Sequence, residues 1–246
     1  MELTVVIPSR GRPECLDTTR MFHNPVLCVG EDELKAYQAV HGKRRRWLVH
    51  PPDLVGMGRK RQWVLEHVET EAVFMIDDDV TGLYCQVGER ARLILDPDAI
   101  WQVLQNAARI TMGIGTVCFG FSHTKDVRHF RGTHPFSFTG YVNGFAMGIL
   151  GREIAFDTEL DTKQDIDFSL QVLLKKRILW RDLRFAFKNS GWFKRTGGMA
   201  GIRTAETVAR DIARLKSKWG DAIQVEHFVR TKKHGPHQNV HVRVLR

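Results

Sequence analysis

A chain of 246 residues, 43% of them hydrophobic, is long and apolar enough to bury one large α/β core or two small ones, and a single domain is the default expectation. Lysine and arginine outnumber acids 37 to 28, a net charge of +9 that favours polyanionic partners such as nucleic acid, acidic headgroups or nucleotide phosphates. Cys15, Cys28, Cys85 and Cys118 lie far apart beside apolar runs, excluding a disulfide framework or a CxxC zinc pattern, and no stretch nears the roughly 20 apolar residues of a membrane span, so a soluble, cytoplasmic protein is expected.

Leu3 to Ile7 is a β-branched run stopped by Pro8, and Ser9-Arg10-Gly11-Arg12-Pro13 follows as a turn. Pro25 to Val29 predicts a second strand, Glu31 to Val40 a helix, and Trp47 to Val49 a short third strand ending at Pro51-Pro52. Gly56-Met57-Gly58 leads into a helix over Arg59 to Val68, on which Trp63, Val64 and His67 share a face; Ala72 to Ile76 is then an apolar strand. Asp96 before Pro97 is a helix start, continued by Ile100, Val103, Leu104, Ala107 and Ala108 at helical spacing. Thr116 to Phe121 and Gly140 to Leu150 suit central strands, with a polar, basic connection from His123 to Phe136 between them.

Asp161 or Thr162 is expected to cap a helix with the stripe Ile166, Leu170, Leu173 and Leu174, placing Asp165 and Asp167 in its first turn, where both suit the helix dipole. Lys188 to Arg203 is glycine-rich and basic and reads as a loop over a site. A last helix from Thr204 to Trp219 would bury Val208, Ile212, Leu215 and Trp219, and Ile223 to Val229 with Val240, Val242 and Val244 predict a closing strand pair.

Asp77, Asp78 and Asp79 stand at the end of the Ala72 to Ile76 strand, where open parallel sheets bind ligands. Three adjacent carboxylates repel one another, and a divalent ion of the Mg²⁺ or Mn²⁺ type relieves that by joining them to substrate phosphates. The structural alternative is a solvated acidic turn. Arg10, Arg12, Arg59 and Arg61 fall on loops at the same sheet edge; Arg12 and Arg61 flank turns that must pass close to a diphosphate.

Val5-Val6-Ile7-Pro8-Ser9-Arg10-Gly11-Arg12-Pro13, the Gly56 to Arg61 segment, Phe74-Met75-Ile76-Asp77-Asp78-Asp79 and Gln164-Asp165-x-Asp167 resemble, in order and spacing, the landmarks of GT-A glycosyltransferases over about residues 3 to 200. The resemblance implies a Rossmann-like αβα sandwich with a mostly parallel central sheet, residues 1–110 holding a nucleotide sugar and 111–246 holding the acceptor through basic loops. It implies a UDP-sugar donor contacted by Pro8, Arg10, Arg12, Glu31, Asp53, Arg61, Asp77 and Asp78, and a metal on Asp77 and Asp79 with Asp78 facing ribose or metal. Asp165 would deprotonate the acceptor hydroxyl; the family has Glu-Asp where this chain has Gln164-Asp165, which keeps the acid and leaves Asp167 as a competitor.

Val29-Gly30-Glu31-Asp32-Glu33 with Tyr37, and Gly197-Gly198-Met199 with Arg203, resemble more narrowly the TET/JBP-associated, GREB-like glycosyltransferases, mostly phage-encoded. That likeness implies an acceptor hydroxyl on a hydroxymethylated pyrimidine in double-stranded DNA. Lys125, Arg128 and Arg131, with His123, His129 and His134, would then line the DNA path, as would Lys194, Arg195, Arg203, Arg210 and Arg214, with Trp192 and Phe193 stacking on a base or wedging into the duplex. Arg210 and Arg214 could equally form a solvated helix face, and Trp192 could be core. The run Lys232 to His237 reads as a basic hairpin turn before it reads as a metal site. Rival readings are a saccharide, lipid or protein acceptor, a sugar-phosphate nucleotidyltransferase, for which the first loop is too glycine-poor, and a non-catalytic DNA-binding module.

Overall fold

The computed structural model describes residues 1–189, 197–198, 201–229 and 236–242. The fully apolar runs become buried strands: β1 (Leu3–Pro8), β2 (Val26–Gly30) and β4 (Ala72–Ile76) are buried along their whole length, with β3 (Arg46–His50) at the edge. Helices α1 (Leu34–His41) and α2 (Met57–His67) make the crossovers between these strands, which all pair in parallel. Burial on both faces is what parallel sheets require, and it explains the near-continuous hydrophobic runs.

Beyond β4 lie β5 (Val80–Cys85), β6 (Arg92–Ile94), α3 (Pro97–Gly113), β7 (Cys118–Phe121), β8 (Phe136–Ser137) and β9 (Ala146–Leu150). They are followed by α4 (Gln164–Lys176), β10 (Trp180–Asp182), β11 (Phe185–Asn189), α5 (Ala205–Trp219), β12 (Ile223–Val229) and β13 (Pro236–Val242). Eight strands form the central sheet in the order β3-β2-β1-β4-β9-β7-β10-β8, and only β9 and β8 run against the rest. The C-terminal ends of the adjacent strands β1 and β4 therefore open on the same edge, placing the 9–13 turn beside the three aspartates.

Capping follows the sequence at α3, where the Asp96 side chain accepts from the Asp98 N–H at 3.1 Å with Pro97 at the first helical position, and at α5, where Thr204 accepts from the Thr207 N–H. It fails at α4. Lys163 precedes that helix in the left-handed region, φ 62°, with no side-chain cap, because the Thr162 amide and hydroxyl turn away to Asp211. The expected stripe also loses Leu174, which is 64% exposed.

A second sheet, β11-β5-β6, is not announced by periodicity: β5 is interrupted by Gly82, β6 has three residues, and Lys188 and Asn189, expected in a loop, complete β11. Only Ala146–Leu150 of the expected 140–150 strand is a strand; residues 140–145 form a loop along the cavity described below. Phe74 of β4, Phe119 and Phe121 of β7 and Phe187 of β11 stack with centroids 5.2–6.3 Å apart, joining the two sheets, and the Phe119 ring fills the space a side chain would need at Gly148. The cysteines are free, Cys28 and Cys118 buried and Cys15 and Cys85 half-buried. No helix among the described residues is long and apolar enough to cross a membrane.

Candidate active site

A cavity of about 1130 Å³ opens at the C-terminal ends of β1 and β4. Both halves of the chain line it: Pro8, Ser9, Arg10, Arg12, Lys60, Arg61 and Asp77–Asp79 from the first, Lys125, Tyr141, Gly144, Lys163, Asp165, Arg181 and Arg203 from the second.

The three aspartates, adjacent in sequence, have different surroundings. Asp78 is 1% exposed, and its carboxylate receives a forked pair from Arg12, Nε at 2.9 Å and Nη2 at 2.5 Å, as well as the Ser9 hydroxyl. The Tyr37 hydroxyl, 2.7 Å from Ser9 Oγ, closes this network. Asp78 therefore anchors the first loop. Asp79 is buried and lines the cavity. Asp77 keeps 34% of its side chain exposed, with Arg61 Nη2 at 3.6 Å. Burial pushes its carboxyl up to about 7, with Asp79 and Asp78 adding to the shift and Arg61 opposing it.

Among the described residues no three His, Cys, Asp or Glu side chains form a metal-ligating group. One or two carboxylates completed by water and substrate phosphates nevertheless suit Mg²⁺ or Mn²⁺. Asp77 and Asp79 fit such an ion, whereas the Asp78 carboxylate is already neutralised by Arg12.

Arg61 is 2% exposed and donates from Nη2 to the Gly144 carbonyl, while its Nε and Nη1 have no hydrogen-bond partner. Each unmet buried donor costs ~1–3 kcal/mol, so the guanidinium is poised for an anion. Its neighbour Lys60, absent from the sequence expectations, is 5% exposed, donates to the Ser9 carbonyl at 3.0 Å and has its pKa lowered by burial. Glycine is required at 144, where a Cβ would collide with the Arg61 guanidinium.

Asp165 faces the cavity, its Oδ2 accepting from the Gly144 N–H at 2.8 Å and its Oδ1 from the Ile166 N–H at 3.0 Å. Asp167 does not compete with it. It is 0% exposed and is bound by Trp219 Nε1 at 2.8 Å, Gln171 Nε2 at 2.7 Å and Lys218 at 2.7 Å, because two residues along a helix turn it to the opposite side.

Tyr141 and His123 pack ring to ring, centroids 4.6 Å apart, on the far wall. Burial and Asp165 raise the Tyr141 hydroxyl to about 12; burial and Arg181 lower His123 to about 4, although part of its ring reaches solvent. Arg181 donates to Ser137 Oγ and the Thr139 carbonyl and meets His123 Nε2 at 3.2 Å, and among the described residues no carboxylate neutralises it. Nothing in the short Trp180–Asp182 segment singles Arg181 out; only the placement of β10 next to β7 brings it here.

Other expectations are corrected by position. Glu31 and Asp53 are exposed and do not line the cavity, since the turn after β2 folds back through Glu31 N–H to the His50 carbonyl. Glu33 instead reaches the first loop, accepting from the Gly11 N–H at 2.8 Å. Of the proposed DNA contacts, Lys125 lines the cavity with its ammonium 4.3 Å over the Tyr84 ring, Arg131 is exposed, and Arg128 is tied to Asp126. Arg210 and Arg214 are committed to Asp161, Asp211 and Asp157 at 2.6–3.0 Å, so they are structural. Trp192, Phe193, Lys194, Arg195 and His234 lie outside the described residues.

The TET-Associated Glycosyltransferase family matches residues 3–198, most of the chain and every cavity motif up to Gly198. The chain belongs to that family. A relative from Enterobacteria phage T2, described as a beta-glucosyl-HMC-alpha-glucosyl-transferase, is 33% identical over 79 residues, 31% of this chain and 28% of its own length. The fold of this chain is GT-A. Mannosyltransferase PcManGT from Pyrobaculum calidifontis, solved with GDP-Man and Mn²⁺, superposes with TM-score 0.53 at 14% identity, covering 87% of this chain and 64% of that one. S. aureus TarS 1–349, solved with UDP-GlcNAc, gives 0.52 at 14%, covering 88% and 67%. Helix α5 and the β12–β13 pair lie beyond the family match.

Proposed function

We propose that the protein transfers a glycosyl group from a nucleotide sugar, a UDP-sugar, to the hydroxyl of a hydroxymethylated pyrimidine in double-stranded DNA, with Mn²⁺ or Mg²⁺ on Asp77 and Asp79, in the cytoplasm. Residues 1–110 would hold chiefly the donor and 111–246 the acceptor, within one domain.

One observation carries the reading: among the described residues the cavity wall holds nine lysine and arginine side chains against four aspartates. A divalent ion and a nucleotide diphosphate roughly cancel each other, so the surplus is left for the acceptor. A neutral glycan gives those cations nothing to meet, whereas a nucleic-acid strand brings a phosphate on each side of the base. The family membership and the phage T2 relative support the same choice.

Arg61, with two unmet donors, and Lys60 would receive the diphosphate. A bound divalent ion supplies Lewis-acid stabilisation of the leaving diphosphate. Asp165, oriented by the Gly144 and Ile166 amides, keeps a lone pair on each oxygen to take the acceptor hydroxyl proton. As that proton moves to Asp165, the acceptor oxygen bonds to the anomeric carbon and the bond to the diphosphate breaks, leaving negative charge beside Arg61.

Mass spectrometry of nucleosides from hydroxymethylcytosine- or hydroxymethyluracil-containing DNA, incubated with protein, Mn²⁺ and a panel of UDP-sugars, tests the proposal. A hexose or pentose mass gain is expected. Donor turnover with saccharide acceptors but not DNA would move the acceptor class, and DNA binding with no turnover of any donor would leave a binding module.

A further inference from the structure

The backbone outlier at the entrance to α4 is the feature that the cavity chemistry does not yet explain. Lys163 is not a glycine, yet it sits at φ 62°, ψ 11° immediately before the helix that carries Asp165. Such a conformation persists in a non-glycine residue only where its surroundings impose it. Here the imposing group is on α5. Asp211, 0% exposed, accepts from the Thr162 amide at 2.6 Å and the Thr162 hydroxyl at 2.8 Å through one oxygen. Arg210 holds its other oxygen at 2.8 Å and reaches on to Asp161 at 2.6 Å. Thr162, the residue best suited to cap α4, is thus pulled backward, and the chain must pass through a left-handed residue to enter the helix.

We infer that Asp211 is a positioning residue: by holding Thr162 it forces the left-handed turn at Lys163 that brings Lys163 and Asp165 together onto the cavity wall. The inference rests on the proposed role of Asp165 as the proton acceptor. Helix α5 lies outside the segment matched by the family.

A double-mutant cycle tests it. Glycine takes positive φ without strain, so Lys163→Gly lets the turn form with no brace. Asp211→Ala is expected to lower kcat for transfer about a hundredfold, the scale of an ångström-sized misplacement, with the donor KM unchanged. In the Lys163→Gly background the same substitution should cost less than tenfold, and any loss from the missing lysine side chain cancels in the cycle. Asp211→Asn, which keeps an acceptor oxygen for Thr162, should restore most of the turnover. An equal kcat penalty in both backgrounds, or a rise in donor KM with kcat intact, overturns the inference while leaving the glycosyl-transfer reading standing. If the wild-type protein transfers no sugar at all, that reading fails instead, and urea-unfolding midpoints of the same four proteins then decide the brace: non-additive midpoints support it and additive ones reject it.

Discussion

Helix α5 and the cavity wall are built from the same residue types to opposite ends. On α5 three of the four cations meet carboxylates: Arg210 reaches Asp161 and Asp211, Arg214 reaches Asp157, and Lys218 reaches Asp167, all within 3.0 Å. Across the intervening segment, Asp77 sits beside two other aspartates with its carboxyl raised to about 7, Arg61 keeps two donors unmet, and Arg181 leans on a hydroxyl, a carbonyl and a neutral histidine. A satisfied charge holds structure together; a gathered, unsatisfied one waits for a ligand. Arg210 and Arg214, which look like DNA-binding residues in the sequence, belong to the first kind, and Arg181, which looks like nothing in particular, to the second.

The largest effect should come from the cavity acids. Asp77→Asn is expected to lower kcat/KM for transfer by about a thousandfold with Mn²⁺ present, while the fold, judged by circular dichroism, stays intact. A variant of near wild-type turnover would show that the cavity is not a metal-assisted site. Next, Arg181→Gln should weaken binding to hydroxymethylated duplex about tenfold and reduce the slope of log affinity against log salt by about one, with the UDP-sugar KM unmoved. An unchanged salt slope would break the division between the two regions at its most exposed point.

Asp77 also makes a pH prediction. Its carboxyl is raised in the folded protein from an ordinary value near 3.8 to about 7, so the folded state binds the extra proton between those values. The contribution to stability is complete below pH 4 and disappears as pH rises through 7. In chelator-containing buffer, Tm should therefore fall between pH 4 and 7 more steeply in the wild type than in Asp77→Asn, read by differential scanning calorimetry; equal slopes would refute it. The smallest effect belongs to α5. Arg214→Gln, half-exposed in its pair with Asp157, should cost only ~0.5 kcal/mol in urea unfolding and leave DNA affinity within twofold.

Much of the molecule was legible in the residues. The apolar runs at 3–7 and 72–76, the Asp96-Pro97 start and the last helix opening at Thr204 all became the expected elements, because burial on both faces and local capping act within a few residues of sequence. Of the site, the 9–12 turn, Arg61, the three aspartates and Asp165 were visible for the same reason, each being tied to a strand end or a helix start. What was not visible depends on pairing across the fold. Asp78 differs from Asp77 only because Arg12 folds over it; Asp167 is lost to the core because Trp219 and Lys218 arrive from α5; Glu33 rather than Glu31 touches the first loop because the turn after β2 folds back on β3. The short β5, β6, β8 and β10 strands carry too few residues for a period to register.

The ring cluster that joins the two sheets ends in the cavity itself, since Phe187 is both a wall residue and a member of the stack with Phe74 and Phe121. Phe74, on β4, lies three residues before Asp77, which directly follows that strand. Anything resting against Phe187 consequently leans on the packing beneath the acidic strand end. A laboratory search for altered acceptor choice should for that reason include the buried phenylalanines, where a change of one ring can reshape the floor without touching a polar group.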